Sequence, residues 1–84
     1  MSASMLERVL KVLADVAPDI DQQTLALDIN LRDQTDFDSM DTLNFAIGLK
    51  REFGVDIADT DFKRLASIDS SLQYLQAQLQ PLGK

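Results

Sequence analysis

Two short stretches, Asp36-Phe37-Asp38-Ser39-Met40-Asp41 and Phe53-Gly54-Val55-Asp56-Ile57, bracket the segment that organises this chain. Asp and Ser are the residue types that best cap a helix start, and Gly is the type that best ends one. The pair of signals predicts a helix from Asp38 or Ser39 to Phe53. Met40, Leu43, Ala46, Ile47 and Phe53 are the expected core stripe, with Phe45 and Leu49 widening the apolar surface. Gly48 inside it costs about 1 kcal/mol relative to Ala, which packing can override. Lys50 and Arg51 stand in the last turn, where cations suit the helix dipole.

Upstream, Leu6, Val9, Leu10, Leu13 and Val16 recur at three- and four-residue steps and predict a first helix that Pro18 ends. Ser4 followed by Glu7 reads as its capping box, and Glu7 with Lys11 as an exposed i,i+4 pair. Residues 17–37 show no sustained period and read as a long Asp-rich loop, pinned by Leu25, Leu27, Ile29 and Leu31. Downstream, a short third helix is predicted from Thr60 to Leu65. A last one begins near Asp69, carries Leu72, Leu75 and Leu79 inward and ends before Pro81. The expected fold is all-α: a four-helix bundle with three longer helices, one short third helix and a long first loop, in a single domain over residues 1–84. No repeat, linker or low-complexity tract interrupts it.

Composition narrows what such a domain does. A chain of 84 residues buries only roughly 60–65% of the surface its unfolded form exposes, which argues against a deep catalytic cavity. It has no Cys and no His, so disulfides, the usual zinc sites, thiol nucleophiles and the commonest general base are missing. Any chemistry has to be borrowed. A net charge of −6 argues against nucleic acid, whose phosphates need a basic patch. The charge is uneven: Asp15 to Asp41 holds eight acids and one base, Arg32. The start lacks a signal-peptide pattern, and the longest apolar run, Phe45 to Leu49, is too short for a bilayer span. A cytoplasmic monomer without membrane insertion is expected.

The triplet Asp38-Ser39-Met40 opening a helix that closes on Phe53-Gly54-Val55-Asp56-Ile57 resembles the acyl and peptidyl carrier protein family. The resemblance runs over nearly the whole chain: capped first helix, Asp-rich loop with spaced aliphatics, short third helix, and a fourth helix introduced by Ser67-Ile68-Asp69. It implies a specialised stand-alone carrier, not an enzyme, that bears an acyl or aminoacyl group as a thioester on a 4'-phosphopantetheine arm attached to Ser39. The arm comes from coenzyme A by way of a phosphopantetheinyl transferase, which supplies the base that this chain lacks. Asp38 then serves that transferase as well as the helix dipole. Asp36, Asp38, Met40 and Asp41 become the residues that acyl-activating, acyltransferase or synthase enzymes meet with basic docking patches.

The physical reading of Ser39 agrees: a hydroxyl at a helix N-terminus after a loop projects into water, where the helix end favours a phosphodiester. The chain also departs from the family. Asp36-Phe37 stands where Gly is common before the serine, Ala58 where Pro often follows, and Lys50-Arg51 interrupts what is usually an acidic second-helix face. That charge placement favours partners other than the housekeeping fatty acid enzymes. Whether the cargo is fatty acyl, aminoacyl or polyketide stays open.

A free-standing enzyme is disfavoured by the lack of His, Cys and a convergent acid–base pair. A calcium loop from Asp28 would need Gly at Asp33 and a bidentate Glu at Ser39, so it fails. The alternative is an unmodified acidic adaptor of the same fold that binds a basic protein and keeps Ser39 only as a cap.

Overall fold

The computed structural model describes residues 4–79. Helix α1 spans Met5–Val16 and starts as the capping box requires: Ser4 Oγ accepts from Glu7 N at 3.1 Å, and Glu7 Oε1 accepts from Ser4 N at 2.9 Å. Val9, Val12 and Leu13 are buried, while Leu6, Leu10 and Val16 pack half-buried at the margin. Val12 was missing from the expected stripe. The expected Glu7–Lys11 pair is replaced by a different one, because Glu7 is engaged at the cap and Lys11 lies 4.0 Å from Glu52 of a neighbouring helix.

The long connection is held by side chains as well as by aliphatics. Gln34 closes it on itself, its Oε1 accepting from Ala26 N at 2.9 Å and its Nε2 donating to Ala26 O at 2.7 Å and Ile29 O at 3.0 Å. Gln22 Nε2 donates to Leu10 O, which ties the loop to α1. Contrary to expectation the segment also contains one helical turn, α2, Leu31–Gln34. Leu31 is fully buried and Leu25 and Leu27 are half-buried, but Ile29 is 43% exposed and pins nothing. Two backbone bonds dock the segment: Leu31 N donates to Ala66 O at 2.7 Å and Asp69 N to Leu27 O at 3.0 Å.

Helix α3 spans Ser39–Phe53, capped by Asp38 and ended by Gly54, whose φ of 70° lies in the left-handed region where a Cβ is strained. Its buried residues are Phe45, Ala46 and Leu49. Met40, Leu43 and Ile47, expected in the core, stand 62%, 40% and 42% exposed. Of the expected stripe, Ala46 is buried and Phe53 packs half-buried against the core, but the other three face outward, because both flanks of α3 are apolar and period alone does not choose between them. A 3-10 helix, Asp59–Leu65, follows.

Helix α4, Ile68–Leu79, begins on a serine pair in which Ser67 Oγ accepts from Ser70 N at 3.1 Å and Ser70 Oγ from Ser67 N at 3.2 Å. Tyr74 and Leu75 are buried and Leu72 half-buried, but Leu79 is 43% exposed rather than inward. Pro81 lies outside the described residues. The described chain thus holds four α-helices and one 3-10 helix around one core, with α1 against α3 and α4, and the 3-10 helix against α3 and α4.

The α1–α3 contact explains Gly48. A Cβ there would lie 2.6 Å from Val12 Cγ1, so the glycine sets how closely the two helices approach. At the far end Arg8 clasps α3: its Nε is 2.8 Å from Glu52 Oε2, its Nη2 donates to Glu52 O at 2.7 Å, and its guanidinium lies 4.3 Å from the Phe53 ring centroid. The Arg8 hydrogen bond holds the Glu52 carboxyl below its ordinary pKa, with burial opposing and the charges of Lys11 and Arg8 assisting.

Candidate functional site

Four of the residues read from sequence as a site, Asp38, Ser39, Met40 and Asp41, form the cap and first turn of α3, with Asp36 just before it. The turn is built by two carboxylates. Asp38 Oδ1 accepts from Asp41 N at 2.9 Å, and Asp41 Oδ2 accepts from Asp38 N at 3.1 Å. Thr42 Oγ1 adds a bond to Asp38 O at 3.1 Å. Ser39, the first helical residue, is exposed, and no hydrogen bond from its hydroxyl is found among the described residues. The cap is Asp38, and the serine is spare.

The approach to this turn is anchored by a residue that sequence reading treated only as a departure. Phe37 is 7% exposed and meets Phe45 edge to face, with centroids 6.0 Å apart and planes at 88°. Thr35 Oγ1 accepts from Phe37 N at 3.1 Å and donates to Leu31 O at 2.7 Å. A buried aromatic two residues before the serine, between loop and helix, leaves little freedom in where α3 begins. An aromatic flanked by acids in a polar loop was the available signal.

Around the turn, Met40 stands 62% exposed, and Leu43 and Ile47 continue the same apolar side of α3 outward. Asp36 is exposed; Asp41 is half-buried and engaged in the cap, so its carboxylate is less free than a surface acid. A groove of about 630 Å³ opens beside Ser39, lined by Thr42, Phe62 and Ala66 among others, with Arg32 and Lys63 also in its wall. The lone base of the acidic half thus stands in the groove that Ser39 opens into.

The arrangement presents an exposed hydroxyl beside a completed cap. Among the described residues no hydrogen bond joins the Ser39 hydroxyl to a carboxylate, and one oxygen of Asp38 is engaged by the backbone of Asp41. What the turn does offer is an unencumbered hydroxyl at a helix N-terminus, held at a fixed place by Phe37 and the double cap. Those features fit an attached phosphodiester, which the helix end favours by charge and which needs room on the solvent side.

Comparison with known proteins agrees with this geometry. Residues 7–75 match the family described as "Phosphopantetheine attachment site", a span that contains the whole of α3 and its cap. The chain is also similar to the acyl carrier protein of Petrotoga mobilis (strain DSM 10674 / SJ95), 24% identical over 75 residues that cover 89% of this chain and 87% of that protein. The family's members bear a covalent phosphopantetheine and work with phosphopantetheinyl transferases and with synthase or acyltransferase enzymes. No helix among the described residues is long and apolar enough to cross a membrane. With its helical fold and with most of its length inside the match, this chain belongs to the acyl carrier protein family and carries phosphopantetheine as its covalent cofactor.

Proposed function

We propose that Ser39 Oγ is the attachment atom and that the loaded protein presents an acyl or aminoacyl group to partner enzymes as their cosubstrate. The observation that carries this reading is the division of labour at the α3 start. Asp38 and Asp41 satisfy the cap between them, leaving an exposed serine hydroxyl with no structural duty. Once attached, the arm supplies the thiol that holds the acyl group. The chain's own part is to expose the hydroxyl, to fix its position through Phe37 and the cap, and to offer partners the surface around it. We place this work in the cytoplasm, whose thiol pool keeps such an arm reduced.

Partners are proposed to dock on the exposed side of α3, where Met40, Leu43 and Ile47 form an apolar stripe with Asp36 and Asp38 at the serine end. At the other end Lys50 Nζ lies 3.6 Å from Asp56 Oδ1, while Arg51 is exposed with no ion pair among the described residues. A surface pair as open as Lys50–Asp56 is weak. An uncompensated Arg51 would repel a basic patch long enough to span the helix, which supports specialised partners over the general fatty acid enzymes.

Incubation with coenzyme A and a broad-specificity phosphopantetheinyl transferase, followed by intact-mass spectrometry, tests the attachment. One arm on the wild type and none on Ser39→Ala is the expected result. No addition to the wild type would leave the unmodified adaptor as the reading.

A further inference from the structure

We propose that Arg32 and Lys63 form a cationic clamp for the phosphodiester that joins the arm to the protein, so that the arm leaves Ser39 along a defined groove. This rests on Ser39 being the attachment residue. Both bases line the groove beside Ser39, one from each wall: Arg32 from α2 and Lys63 from the 3-10 helix. The two walls are joined by backbone, since Leu31 N donates to Ala66 O at 2.7 Å. Arg32 is therefore the residue after the one hydrogen-bonded to Ala66, and Lys63 lies three residues before it. The docking of the long loop is what brings the lone base of the acidic half to this place.

Neither side chain has another duty. Each is exposed, and neither forms an ion pair among the described residues, whereas Arg8, Lys11 and Lys50 all do. Asp36 and Asp38 line the same groove and oppose an anion there. Asp38 directs one oxygen at Asp41 N, and no ion pair links either acid to Arg32 or Lys63 among the described residues. A phosphodiester keeps its single negative charge across the physiological range. It would give the two bases a partner and offset the local acids, with Arg32 offering a planar fork and Lys63 a point charge. Phe62 and Ala66, both half-buried, provide the apolar side of the groove against which the arm's dimethyl segment would lie.

The test uses fully loaded protein, with one arm per chain verified by intact mass for wild type, Arg32→Gln, Lys63→Gln, the double variant and Arg32→Lys. In the wild type, the phosphorus NMR resonance is expected to move as sodium chloride is raised, because salt screens a surface clamp. Nuclear Overhauser contacts should also connect the arm's methyl groups to Phe62. The double variant should lose both, the single variants should lose part of each, and Arg32→Lys should retain the salt response. Both positions are exposed, so the variants should keep the wild-type circular dichroism. A loaded double variant with wild-type phosphorus shift, salt response and Phe62 contacts would overturn the clamp while leaving the attachment intact. A wild type that takes no arm would instead overturn the attachment.

Discussion

Asp38 and Asp41 each accept the other's backbone N–H, at 2.9 and 3.1 Å, and between them complete the start of α3 without using Ser39. Stability and modification are thereby assigned to different side chains of one turn. The consequence is a clean mutational separation.

Ser39→Ala should change unfolding free energy by a few tenths of a kcal/mol at most, while Asp38→Ala should cost about 1 kcal/mol. Urea denaturation of both, without the arm, measures this. A loss above about 1 kcal/mol in Ser39→Ala would show that the hydroxyl contributes to the fold.

Gly48→Ala should destabilise despite Ala being the better helix former. The gain is about 1 kcal/mol of propensity, against an overpacking cost of about 1–3 kcal/mol, because the new Cβ would lie 2.6 Å from Val12 Cγ1. Val12 is β-branched on a helix and has few rotamers to retreat to. Combining Gly48→Ala with Val12→Ala should cost less than the two single losses added, and strict additivity in a double-mutant cycle would refute the contact.

The pH profile should have two limbs with opposite sign. Glu52 is held below its ordinary value of 4.5 by Arg8, so in acid the unfolded chain binds the extra proton. Its contribution is complete above that ordinary value and lost as pH falls through the lowered one. The stability gap between wild type and Glu52→Gln should narrow on that descent. Tyr74 is raised above 10.0, by burial first and then by its hydrogen bond to Asp61 at 3.0 Å. Here the unfolded chain loses its proton first, so stability falls as pH rises past 10.0 through the raised value. Tyr74→Phe should remove that alkaline loss. A parallel decline in the variant would assign it to other groups.

Replacing Lys50 and Arg51 with Glu should raise loading by a fatty acid ketosynthase or malonyl transferase, more at low salt than at high. Arg51→Glu alone should give only part of the gain, because the open Lys50–Asp56 pair at 3.6 Å offsets the Lys50 charge only weakly. Equal loading of wild type and variants would leave the two bases as complements to the helix dipole only.

What the sequence determined by itself is local. The Ser4–Glu7 box, the α3 start at Asp38-Ser39 and its end at Gly54 are set by residues within one turn of each other, and each is found where its chemistry places it. The place of Ser39 as the first residue of α3 was legible for the same reason, since a capping pair before a helix is a contiguous signal. Which side of α3 is buried was not legible. Phe45 and Leu49 go inward while Met40, Leu43 and Ile47 face water, and that choice depends on where α1 and the loop pack. The one-turn helix at Leu31–Gln34 is likewise set from a distance, by Ala66 accepting from Leu31 N and by Gln34 bridging back to Ala26. Only the folded chain brings Arg32 and Lys63 to one groove beside Ser39, because their proximity comes from loop docking and not from spacing along the sequence.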